Sequence, residues 1–185
     1  SWAFNEVIAR LGDTWDARLA GIVMQLHPPD ALPLVRTALN NAKLDPSLRG
    51  LALDALDAIG TKEAGQQITA VLTADEPAEL KTHALHLLAR DAGDAWREVL
   101  DGDAMKDYLA KALGDTQLRE GALAFIGETR LVPLLGDVVA LACDAGTSPE
   151  QRLKALGTVQ RVASRAKRND TAPFLKPIAA LIESA

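Results

Sequence analysis

Leu48-Arg49-Gly50-Leu51-Ala52-Leu53-Asp54-Ala55-Leu56 recurs along the chain as Leu80-Lys81-Thr82-His83-Ala84-Leu85-His86-Leu87-Leu88 and again as Leu118-Arg119-Glu120-Gly121-Ala122-Leu123-Ala124-Phe125-Ile126. Weaker copies are Arg152-Leu153-Lys154-Ala155-Leu156-Gly157-Thr158-Val159 and, earliest, Leu19-Ala20-Gly21-Ile22-Val23-Met24. The alanine of each copy, Ala20, Ala52, Ala84, Ala122 and Ala155, follows its predecessor by 32, 32, 38 and 33 residues. A period of that size marks stacked supersecondary units, because one such unit cannot bury its apolar face alone.

Within the second copy Ala52, Ala55, Leu56 and Ile59 share one helical face, and Gly60 follows as a stop. A second helix is predicted from Glu63 to Leu72, burying Ala64, Ile68, Val71 and Leu72. Equivalent second helices are predicted over Pro29 to Leu39 and Leu131 to Ala142, where Pro33 and Pro133 fall near the first turn and need not break the helix. Three of the first helices open on a capping residue and a proline: Asp45-Pro46, Glu76-Pro77 and Ser148-Pro149. Proline suits that place because its missing N–H has no helical partner there, and Asp or Ser can accept a free backbone N–H. The fourth copy opens Asp115-Thr116, with Glu120 in an acidic first turn. The recurring alanines let helices approach at the short end of the usual interaxial range of about 8 to 10 Å. A bulky residue there should cost roughly 1 to 3 kcal/mol by overpacking.

The predicted architecture is therefore all-α, about five helix pairs with boundaries near 14–44, 45–75, 76–114, 115–147 and 148–185, all within one domain, 1–185. Residues Trp2 to Leu11 read as an additional amphipathic helix capping the stack, since repeat stacks need covered ends. The 38-residue step places an insertion at Asp91 to Asp103, rich in Asp and Gly and carrying Trp96.

The recurring pattern runs Asp, Glu or Ser, then Pro, two residues, Leu, Lys or Arg, two residues, Ala-Leu, two residues and Leu, followed by Gly and a second helix. It resembles HEAT and HEAT-like repeats across nearly the whole chain. The Trp, Gly and Tyr pattern of tetratricopeptide repeats and the Thr-Pro-Leu-His of ankyrin repeats are absent. The resemblance implies a right-handed α-α superhelix whose curved surface binds proteins or peptides; a non-enzymatic scaffold, without a cofactor and monomeric, is the expectation. The chain also looks like the HEAT-like segment of large bacterial extracytoplasmic proteins that carry a dehydrogenase-like propeller and a c-type haem domain. That likeness implies a structural spacer or a docking role toward other domains of the same polypeptide. DNA glycosylases built on HEAT-like repeats are the enzymatic alternative, yet their basic groove with tryptophans and a catalytic acid is not matched.

Composition narrows the partner further. Hydrophobic residues make up 48% and charged residues 24%, a globular balance, while aromatics are only 4%, so the core must come from small and branched aliphatic side chains. The net charge of −5 is uneven, about −9 over residues 1–147 and +4 over 148–185. An acidic body repels phosphate backbones, which argues against nucleic acid as partner of most of this surface. No apolar run is long enough to span a bilayer, and no signal pattern is present. The opening Ser1-Trp2-Ala3-Phe4, already helical in pattern, is what an excised segment of a longer chain would show. Compartment stays open, cytoplasmic by default and extracytoplasmic if the resemblance holds.

Few residues invite chemistry. His83 and His86, with Glu79 one turn earlier, are the one cluster of metal-ligand types. Any adjacent two share a helix face, but Glu79 and His86 lie about 10 Å apart along the axis, too far to meet on one ion. A solvated helix face is the expectation, with His83 and His86 as a weak candidate pair. Asp91, Asp94, Asp101, Asp103 and Asp107 lack the closing Glu of an EF-hand, since Ala112 stands in its place. Gly60 and Gly65 have phosphate-loop spacing, but Gln66 and Gln67 replace the required Lys and Ser or Thr. No serine sits in Gly-x-Ser-x-Gly. The lone Cys143, among Val139, Ala140, Leu141 and Ala142, is expected to be a buried thiol. The basic face Arg161, Arg165 and Arg168 could grip an anion, although cations near a helix C-terminus also complement its dipole.

Overall fold

The computed structural model describes residues 6, 12–90, 96, 100, 102–164, 166, 167, 171–174, 177 and 179. Among these the protein is all-helical, with no strand and no helix long and apolar enough to cross a membrane. The expected capping helix at Trp2 to Leu11, Glu6 apart, and most of the insertion at Asp91 to Asp103 lie outside the described residues. The chain forms two compact units, Ser1–Leu100 and Asp101–Ala185.

The first unit contains α1 (Ala17–Leu26), α2 (Leu32–Leu39), α3 (Pro46–Ile59), α4 (Lys62–Thr73) and α5 (Ala78–Arg90). Each first helix of a pair packs on the next, α1 on α3 and α3 on α5. Each second helix packs on the first helix of the following pair, α2 on α3 and α4 on α5. The α3–α5 contact is parallel, because Asp54 meets His83 near mid-helix and Asp57 meets Arg90 further on. The repeat alanines make this approach feasible: Ala20, Ala52 and Ala84 are all 0% exposed. Two tryptophans tie the ends of the unit. Trp15 Nε1 donates to the Leu48 carbonyl at 3.0 Å, and Trp96 Nε1 donates to the Thr61 carbonyl at 3.0 Å. Trp96 thus belongs to the core, and it lies so close over Gly65 that a Cβ there would sit 2.7 Å from the indole.

The second unit contains α6 (Asp103–Gly114), α7 (Arg119–Thr129), α8 (Leu135–Cys143) and α9 (Pro149–Ala163). Its packing follows the same rule, α7 on α9, α6 on α7 and α8 on α9. Ala122 and Ala155 are again fully buried. Gly127 lets the stem of Arg161 cross α7, with Arg161 Cδ 3.4 Å from where a Cβ would stand.

Local chemistry differs from expectation at several helix starts. The second helices predicted from Pro29 and Leu131 begin with 3-10 turns, Pro29–Ala31 and Val132–Leu134, and become α-helical only at Leu32 and Leu135. A 3-10 turn is a common way into an α-helix. The fourth copy does not start at Asp115: that carboxylate closes a turn by accepting from Gln117 N at 2.8 Å, and α7 begins at Arg119. Asp45 and Ser148 do cap α3 and α9, accepting from Ser47 N and Gln151 N. Glu76 is drawn elsewhere, to Arg49.

Arg49 is the organising cation of the first unit. It is 6% exposed, donates from Nε to the Leu39 carbonyl at the end of α2 at 2.8 Å, and pairs through Nη2 with Glu76 at 2.6 Å. One side chain therefore satisfies a free carbonyl at the C-terminus of one helix and pins the start of another. Arg119, at the same repeat position, does likewise: Nε donates to the Leu113 carbonyl at 2.8 Å and Nη1 reaches the Gln151 side chain.

Candidate functional site

On α3 the residues Ser47, Gly50, Leu51 and Asp54 recur at i, i+3, i+4 and i+7, which places them on one face. On α5 the matching face carries Glu79, Leu80 and His83. These two faces enclose a groove of about 460 Å³, closed at one end by Pro46 and Pro77, the prolines that open the two helices. Its size falls within the range of small-ligand and anchor-residue pockets. The walls are chiefly apolar, and Gly50 keeps one of them low beside the His83 ring, whose Nδ1 lies 3.6 Å from where a Cβ would stand.

At the far end His83 Nε2 lies 2.8 Å from Asp54 Oδ1. The hydrogen bond to Asp54 raises the His83 pKa above its ordinary value of 6.5, against the opposing effect of partial burial. Both side chains remain about a third exposed, 35% and 34%. The Ser47 hydroxyl, nearer the proline end of the groove, donates to Asp45 Oδ1. Of the remaining charges in the groove, Arg49 is spent on Glu76 and Leu39, whereas Glu79 is exposed and has no ion-pair partner among the described residues.

The histidines thus part company. His83 turns into the groove and bonds Asp54, while His86 is exposed and does not line it. Among the described residues no three His, Cys, Asp or Glu side chains gather as a metal-binding group. Asp54 was not singled out by its own sequence neighbourhood; what pairs it with His83 is the parallel contact of α3 with α5, a relation between repeats.

A second groove lies between α7 and α9, about 360 Å³, lined among others by Leu123, Leu153, Lys154 and Arg161. Lys154 spans its charged edge, bonding Glu120 at 3.0 Å and Glu150 at 3.1 Å, and these hydrogen bonds raise the lysine's pKa. Leu153 beside it is 70% exposed. Of the basic face, Arg161 is exposed at the groove with its stem laid over Gly127, and Arg165 and Arg168 lie outside the described residues. Cys143 is half-buried rather than buried, its Sγ 3.7 Å from the Pro177 carbonyl.

Neither a protein-family model nor a curated protein sequence matches the chain.

Proposed function

We propose that the chain is a non-enzymatic docking module, a HEAT-like right-handed α-α superhelix, that holds a protein or peptide partner in the α3–α5 groove. The observation that carries this is the groove itself: two parallel helix faces with leucine and proline walls and polar groups only toward the ends. Apolar walls supply binding free energy at roughly 25 cal/mol per Å² of surface removed from water. The few polar groups at the rim then orient what enters. The repeat plan supports the same reading, because stacked helix pairs expose extended surfaces suited to chain segments.

Selection of a random peptide library displayed on phage against the whole chain tests this. The expected outcome is a family of peptides that bind the native protein and lose binding to Leu51→Asp, a variant whose changed side chain is half-buried at the groove wall and whose helical spectrum should be unaltered. Peptides that bind both proteins equally would refute the groove as the docking site.

A further inference from the structure

We infer that the α3–α5 groove is selective for a basic, apolar segment of a partner protein, one that presents Arg or Lys beside aliphatic surface. This rests on the docking reading and adds the chemistry of the occupant. Charge complementarity favours such an occupant. The groove carries four charged or titratable residues, Arg49, Asp54, Glu79 and His83. Arg49 is turned inward, 6% exposed, and paired with Glu76. Asp54 is shared with His83, and Glu79 stands exposed and unpaired among the described residues.

An Arg or Lys side chain suits this groove in both of its parts. Its methylene stem can lie along Leu51, Leu80 and the prolines while its head meets Glu79. An acidic segment would meet repulsion, and a neutral one would leave Glu79 without a partner.

A ¹⁵N-HSQC titration of the whole chain with three probes that each carry a three- or four-carbon alkyl stem separates the possibilities: n-butylguanidinium, n-butanol and n-butyrate. Butylguanidinium should shift the amides of Gly50, Leu51 and His83, with an affinity several-fold tighter than butanol, and butyrate should be the weakest. Raising the salt concentration should shrink the guanidinium preference, as screening requires. Glu79→Gln, a change at an exposed position, should bring butylguanidinium down to the butanol level while leaving the spectrum of the free protein otherwise intact. Butanol or butyrate binding the groove as tightly as the guanidinium would overturn the charge preference while the docking reading stood. If none of the three perturbed those amides, both would fall.

Discussion

The α3–α5 and α7–α9 contacts are built alike, yet one holds an open apolar groove with an idle acid and the other a groove strapped by ion pairs. Two repeat positions make the difference. Counting back from the buried alanine, Glu79 and Glu150 are equivalent, five residues before Ala84 and Ala155, and each has a possible partner one turn on. In α9 that partner is Lys154, long enough to hold Glu150 and to reach Glu120 on α7 as well. In α5 it is His83, which turns away to Asp54 and leaves Glu79 unpaired. Two residues before the alanine, the first groove has Gly50 where the second has Glu120. A repeat fold can therefore keep its packing constant and change what a groove offers through single surface positions.

The largest test of the comparison concerns the arginines that hold each pair of helices in register. Arg49→Ala strands Glu76 and the Leu39 carbonyl in a poorly hydrated place, and should cost roughly 3 to 5 kcal/mol in urea unfolding. Arg119→Ala removes bonds to a neutral Gln151 and to carbonyls, and should cost about 1 to 3 kcal/mol. Equal losses would mean that the Arg49–Glu76 pair has no special weight. Next in size is Gly50→Ala. A Cβ at that position would stand 3.6 Å from His83 Nδ1, an ordinary contact, so the gain in helix propensity should dominate. Stability should rise by about 0.5 to 1 kcal/mol while the groove narrows; a loss would show that the space beside His83 is already filled.

A smaller effect is expected from His83→Gln, and it should depend on pH. The folded-state pKa of His83 lies above its unfolded value, so the stabilisation from Asp54 is complete below about pH 6.5 and fades as pH rises through the folded value. Because the pair is a third exposed, solvent screening holds the difference between wild type and variant below about 1 kcal/mol. Melting curves from pH 5.5 to 9 should converge at the alkaline end; a constant gap would assign the role of His83 to packing. The smallest effect belongs to Lys154→Ala. Its ion pairs are solvent-exposed, so the melting temperature should not move, while the α7–α9 groove loses its strap. A clear fall in melting temperature would show that the strap carries structural weight.

Much of this arrangement is legible in the sequence. The spacing of Ala20, Ala52, Ala84, Ala122 and Ala155 points to helices in close approach, and all five prove fully buried. Gly60 ends α3 as its position suggests, in a left-handed conformation at φ 66° that glycine adopts without strain. Helix starts are harder. Asp115 can cap a turn as readily as a helix, and the 3-10 entries at Pro29 and Val132 leave no periodic trace. The His83–Asp54 pair was illegible for a different reason. Periodicity tells which residues share a face of one helix, but not which residue of another helix lies opposite, and that depends on the register between repeats. A recurring clue was present in Arg49, Lys81, Arg119 and Arg152, each three residues before the repeat alanine. A cation held at one position in four of the five units points to a shared interhelical partner, which for Arg49 and Arg119 is the carbonyl end of a preceding second helix.

The groove exists only if α3 and α5 lie parallel and in contact at the register that sets His83 beside Gly50. A nuclear Overhauser spectrum of the whole chain measures that contact. The distances of 3.6 and 3.8 Å from the Gly50 Cβ direction to His83 Nδ1 and Cε1 predict a cross-peak between Gly50 Hα and His83 Hε1. Its absence, with His83 Hε1 seen instead against residues of α4 alone, would contradict the parallel stacking of first helices and remove the groove with it.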